Sequence, residues 1–268
     1  MAARTMFAAL FGELVLHQRL DTEGEASQDA YSLFYARSSA MHWLTPAVQG
    51  ASGGLWGMND AEAAPDSGPR RSRVAFFQVV LTEPNLRKLL PVQPFLTCAG
   101  DVMARLGTLR LEAVQVLLPE RDADEDAQFA SPSGARVASS LLDACHWFAD
   151  CDPRARTAVR VTLDAGADPS IRTRASAILH WAREVRQEVF ACDSLSLADD
   201  DHLILRPIPF QTAPAGPHRV TFRGILAEWS LDALGWLAAL LADGTSRHGI
   251  NSQLMLTANR TANTQLAK

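Results

Sequence analysis

Arginine is the side chain of this sequence best suited to chemistry on an anion. Lys88 and Lys268 are the only lysines, so 23 of the 25 basic residues are arginine. A guanidinium is planar and always charged, and it grips a phosphate through a bidentate fork that an ammonium lacks. A GC-rich genome gives the same bias without any function, so placement matters more than number. Arg154, Arg156 and Arg160 form one cluster, and Arg172, Arg174, Arg183 and Arg186 a second. Each reads either as a solvated helix face, balanced by Asp143, Asp150, Asp152, Glu184 and Glu188, or as a helical projection presenting arginines to phosphates. The net charge of −5 counts against general nucleic-acid binding. A local basic surface can coexist with it, because salt limits the reach of distant charges to about 10 Å.

Other chemistries lack their signatures. The sequence has no phosphate-binding G-x-x-x-x-G-K-[ST] loop, dinucleotide fingerprint, H-E-x-x-H or G-x-S-x-G elbow. The Cys145-His146…Cys151 group has the wrong spacing for a zinc finger. Asp199-Asp200-Asp201-His202 reads as a solvated turn, and His146, His180 and His202 have no convincing context. No metal and no cofactor is expected. Cys98, Cys145, Cys151 and Cys192 read as reduced core residues, and no apolar run reaches the roughly 18–20 residues of a membrane span. Met6–Leu16 contains Glu13 and reads as a strand rather than a signal peptide. Together these features place the protein in the cytoplasm, away from membranes.

The elements that must position the arginines divide the chain into three parts. Residues 1–119 read as strand, helix, long loop, strand, helix and strand, an order that suits a ferredoxin-like domain. Its first helix is expected from Gln28 to about Trp43, with Tyr31, Phe34, Tyr35, Ser38, Met41 and His42 on one face. Residues 120–193 open with an acidic linker and read as a mostly helical insertion. Residues 194–268 hold the best-defined unit: strand Arg219–Leu226, a helix capped by Ser230 and ending at Asp243, the loop Gly244-Thr245-Ser246-Arg247-His248-Gly249, strand Gln253–Thr257 and a polar tail.

That unit carries a resemblance. Val220-Thr221-Phe222-Arg223-Gly224, Leu231–Leu241, the Gly244–Gly249 loop and Gln253-Leu254-Met255-Leu256 together resemble the C-terminus of the CRISPR-associated pre-crRNA processing endoribonucleases of the RAMP superfamily. The match covers about 40 of the 268 residues at motif level. The loop has Arg247-His248 where the family often has Phe-Gly, and Ile250-Asn251 follow Gly249. The resemblance implies an α+β protein of tandem ferredoxin-like (RRM-like) folds. The insertion is similar to the helical projection of some type IV CRISPR members.

The resemblance also implies a chemistry. Family members cut repeat RNA without metal, using the substrate's 2′-OH and leaving a 2′,3′-cyclic phosphate. The step needs a base, an acid and charge stabilisation of the phosphorane. His42 matches the family's base on the first helix, with Tyr31 and Tyr35 nearby; Arg37 and Arg247 would serve the phosphorane. Arg19, His248, Gly244 and Gly249 would line the RNA path, and the two arginine clusters would hold the stem of a CRISPR repeat stem-loop. Other effector subunits are the implied partners of the retained crRNA. Two alternatives stay open: a catalytically inactive RNA-binding effector subunit, and an unrelated α+β protein-interaction module.

Overall fold

The computed structural model describes residues 4–17, 29–45, 53–63, 73–81, 89–121, 141–185, 187–197 and 216–261. Period-two apolar runs become strands, and runs with an apolar helical face become helices. The first half contains β1 (Thr5–Leu16), α1 (Ala30–Ala40), β2 (Trp56–Ala63), β3 (Arg73–Leu81), α2 (Val92–Leu106) and β4 (Gly107–Leu118). The second contains β5 (Thr157–Asp164), α3 (Ser170–Glu184), β6 (Phe190–Ser196), β7 (Arg219–Leu226), α4 (Leu231–Arg247) and β8 (Leu254–Arg260). Each half therefore runs strand, helix, strand, strand, helix, strand.

Among the described residues the strands form one sheet in the order β2-β3-β1-β4-β8-β5-β7-β6, and every neighbouring pair is antiparallel. Read outward from the β4–β8 seam, both halves follow the same order: the fourth strand, the first, the third and the second. The chain is thus a mixed α+β protein with an antiparallel sheet.

Helices α1 to α4 pack on one face. Met6, Ala8 and Leu10 of β1, Val114 and Val116 of β4, Val159, Val161 and Leu163 of β5 and Leu256 of β8 meet Phe34, Phe95, Ile178 and Leu237 there in one core. The helices lie in the order α1, α2, α4, α3. An aromatic group seats α1, with Phe34 5.1 Å from Phe77 and 6.1 Å from Phe95, centroid to centroid. Asp232 at the start of α4 accepts hydrogen bonds from Gln93 at 3.0 Å and Thr97 at 2.8 Å on α2.

The mostly helical insertion is where the structure departs furthest from expectation. Thr157–Asp164 is a strand between β8 and β7, because its residues alternate: Val159, Val161 and Leu163 face the helices while Arg160 and Thr162 face away. Phe190–Ser196 is a strand as well. The expected helix within this region is present as α3, and short helical turns cover 141–148. The last helix is longer than expected. Ser230 caps it, accepting from the Ala233 amide at 3.1 Å, but it runs through Gly244 to Arg247. Gly249 at φ +77° takes the left-handed position that ends it.

Two glycines at the helix contacts have opposite roles. A Cβ on Gly235 of α4 would lie 2.7 Å from the Gln93 Cα of α2, so the two backbones meet only because it is glycine. A Cβ on Gly100 of α2 would meet Leu231 at an ordinary 3.5 Å. Gly235→Val should therefore destabilise the fold by about 2–3 kcal/mol, lowering Tm by roughly 5–10 °C. Gly100→Ala should raise Tm by about 2–4 °C through helix propensity alone. Thermal melts of the two variants check both.

Candidate nucleic-acid interface

The face of the sheet away from the helices differs between the two halves. In the first half it is apolar: Phe7, Ala9, Phe11, Phe76, Ala113 and Leu117, with Met255 of β8, form a second buried cluster. In the second half the same parity of positions carries polar residues. Registers place Thr257, Thr162, Thr221 and Ser196 side by side across β8, β5, β7 and β6, with Gln115 of β4 extending the row past the seam. One step along the strands, Asn259, Arg160, Arg223 and Ser194 form a parallel row. One step the other way, Asp164 opposes Arg219, whose Nε donates to its carboxylate at 2.7 Å.

The chemistry of this surface follows from its rows. The Thr162 and Thr221 hydroxyls are 2.9 Å apart and hydrogen-bond each other, with Thr162 half-buried and Thr221 buried. Arg160 and Arg223 stand directly opposite one another on antiparallel strands, beside the hydroxyls. Arginines flanking a line of hydroxyls match the sugar–phosphate chain of a nucleic acid, where most protein hydrogen bonds go to phosphate and sugar. Two side chains at the seam keep an atom without a partner: Oε1 of Gln115 and Nδ2 of Asn259.

No protein-family profile and no curated protein matches this sequence.

The residues expected from sequence lie in several places. Tyr31 and Tyr35 are exposed by 44 % and 50 %, not on the buried face of α1, which is Ala30, Phe34 and Ser38. His42 lies past the end of α1 at φ 56°. Its amide donates to the Ser39 carbonyl and that of Trp43 to the Ser38 carbonyl, a Schellman closure in which His42 occupies the position usual for glycine. Arg37 is bound to Asp101 of α2, with nitrogens at 2.7 and 2.6 Å. Arg247 pairs with Asp243 at 2.6 Å and lies over the Trp181 ring at 5.9 Å. The Nδ1–H of His248 donates to the Gly244 carbonyl at 2.6 Å, and Gly244 is a helical glycine against which Trp181 packs. His42 and Arg247 thus sit at the ends of different helices, with α2 between α1 and α4.

Of the RNA-binding candidates among the described residues, only Arg160 lies on a strand with its side chain on the face away from the helices. Arg154 and Arg156 are exposed in the turn before β5. Arg172, Arg174 and Arg183 belong to α3 in the helix layer; Arg172 donates to the Pro217 carbonyl at 3.2 Å, and Arg183 to those of Cys192 at 2.9 Å and Asp193. Arg19 and Arg186 lie outside the described residues. Sequence reasoning passed over Arg219, Arg223, Thr162, Thr221, Thr257 and Gln115 as site residues. The available signal was the alternation Arg219, Thr221, Arg223 within β7, which puts all three on one face.

Two chemistries gain nothing from the described residues. They hold no group of three or more His, Cys, Asp or Glu that would bind a metal. Burial pushes the thiols of Cys98 and Cys192 up to about 11, so neither is a thiolate nucleophile at neutral pH.

A left-handed conformation at a non-glycine residue costs roughly 1–2 kcal/mol. His42→Gly should therefore raise Tm by about 2–4 °C, net of the entropy glycine adds to the unfolded chain. A melt in which this variant loses stability would show that the imidazole makes contacts worth more than the strain.

Proposed function

We propose that this chain is a cytoplasmic RNA-binding protein made of two ferredoxin-like modules joined edge to edge, and that RNA runs across the helix-free face of its second module. The observation that carries this reading is the row of hydroxyls between arginine-bearing rows. RNA offers what such a surface needs, which is a chain of phosphates for guanidiniums and riboses for hydroxyls. The mirrored strand order supports the two-module description, since each half has the β-α-β-β-α-β succession of that fold. With the motif resemblance at residues 219–257, the proposal places the chain beside the RAMP superfamily, with a CRISPR repeat stem-loop as ligand and effector subunits as partners.

A second reading adds cleavage. His42 is exposed and held in a strained backbone conformation, as residues at functional sites often are. In that reading the imidazole takes the proton of a 2′-OH, O2′ bonds to phosphorus, and the bond to the 5′ oxygen breaks as that oxygen takes a proton from water, which leaves a 2′,3′-cyclic phosphate and a 5′-OH.

One assay separates the readings: a labelled repeat-type RNA hairpin incubated with the protein in EDTA. Cleavage to a 2′,3′-cyclic phosphate that disappears in His42→Ala supports the second reading. Binding without cleavage supports the first alone. In either case Arg160→Gln with Arg223→Gln should weaken binding at least tenfold and flatten the slope of log K against log salt by about 1.4 for single-stranded RNA. No RNA affinity at moderate salt would overturn both readings and favour a protein-interaction module.

A further inference from the structure

The two outermost helices occupy equivalent places and present different surfaces. In the helix layer α1 lies at one end and α3 at the other, and each is the first helix of its half. The exposed side of α3 carries Arg174, His180, Arg183 and Glu184, as a solvated helix should. The exposed side of α1 is Tyr31, Ser32, Tyr35, Ala36, Ser39 and Ala40, with no charged residue among them. The one charged residue of α1, Arg37, is half-buried and bound to Asp101 of α2. Loss of charge together with exposed tyrosines marks the centre of a protein–protein contact.

Two rows on this face have matching relief. Tyr31 and Tyr35 are spaced i, i+4 and stand up as a ridge, 44 % and 50 % exposed. Ser32, Ala36 and Ala40 form the next i, i+4 row, and every member is small. The ridge of one helix fits the groove of another when both run along i±4 rows, with the helices crossing at about −50°. Ridge and groove here lie side by side on one helix, so the face is complementary to itself. A two-fold axis seats the tyrosines of each copy in the small row of the other, the self-complementary contact of a symmetric dimer. We infer that α1 is a homodimer contact, in which Tyr31 and Tyr35 of one chain pack over Ser32, Ala36 and Ala40 of a second copy.

Charge and area agree with that occupant and set its strength. Each chain has a net charge of −5, so two copies repel, and they meet most easily over a face that adds no like charges. At their exposure the two tyrosines present about 100 Å² each. With the four small residues each copy buries about 450 Å², or about 900 Å² in total, which is the low end for a specific contact. That area corresponds to a weak, reversible dimer with a midpoint on the order of 10–100 µM. The contact is independent of the nucleic-acid reading, because α1 lies in the helix layer and the proposed RNA path on the opposite face.

Sedimentation velocity of the full chain, from about 1 to 200 µM and after nuclease treatment, tests the contact. Wild type should pass from the mass of one chain to that of two. Its midpoint should change by less than about twofold between roughly 50 and 500 mM salt, because the contact holds no ion pair. Ala36→Arg fills the groove with a charge and should move the midpoint at least tenfold higher. Its Tm should stay within about 2 °C of wild type, since position 36 is exposed and arginine is a good helix former. Tyr31→Ser with Tyr35→Ser repeats the comparison from the ridge side. Wild type that stays monomeric to about 200 µM would overturn the dimer. A dimer that both variants leave intact would overturn the α1 contact, and association seen only before nuclease treatment would be bridging by RNA and would overturn it as well.

Discussion

Everything in this architecture depends on the pairing of β4 with β8. Ala113–Leu118 runs antiparallel to Leu254–Asn259, and through it two four-stranded units become one sheet. β8 is the last described strand of the second half, so the edge of the first half is closed by a strand remote from it in sequence. The α2–α4 contact at Gly235 reinforces the seam from the helix side, where the two backbones approach more closely than any side chain would allow. An unpaired β4 would expose a row of backbone donors and acceptors, a surface prone to pairing with other chains. The seam removes that hazard and makes one continuous face out of two.

The halves share a topology and have diverged on the face that topology leaves uncovered by helices. Phe7, Phe11 and Phe76 fill it in the first half, with Phe7 stacked on Phe76 at 5.8 Å. In the second half threonines and arginines occupy the same parity of positions. Strand periodicity keeps the helix-facing residues apolar in both, which leaves the opposite face free to specialise. A buried apolar half lies beside a polar, arginine-bearing half, and the amides at the boundary belong to both.

Much of the architecture was legible in the sequence. The first half follows the expected order, apart from the strand β2 at Trp56–Ala63 inside the expected long loop, because its strands and helices have strong periods and clear breakers, and Ser230 marks the start of α4 as its residue type suggests. Thr157–Asp164 was not legible as a strand. Only eight residues long, it lies among helical segments, and its arginine cluster draws attention to charge rather than to alternation. The Gly244–Gly249 stretch misled in the opposite way. Gly244 resembles a helix stop, yet it is the point where Trp181 packs against α4, a tertiary requirement that local sequence does not encode. The site was hardest to read because its rows exist only across strands. Gln115 and Asn259 are far apart in the chain, and nothing near either one announces the other.

The central claim is that RNA lies on the helix-free face of the second half. Photo-crosslinking to a 4-thiouridine-substituted RNA hairpin, with the attached peptides identified by mass spectrometry, locates the RNA directly. The account predicts crosslinks in β5 and β7, residues 157–164 and 219–226, and at the seam strands 113–118 and 254–260. Crosslinks confined to α1 and α3, with those strands unmarked, would contradict it and place the RNA on the helical layer instead.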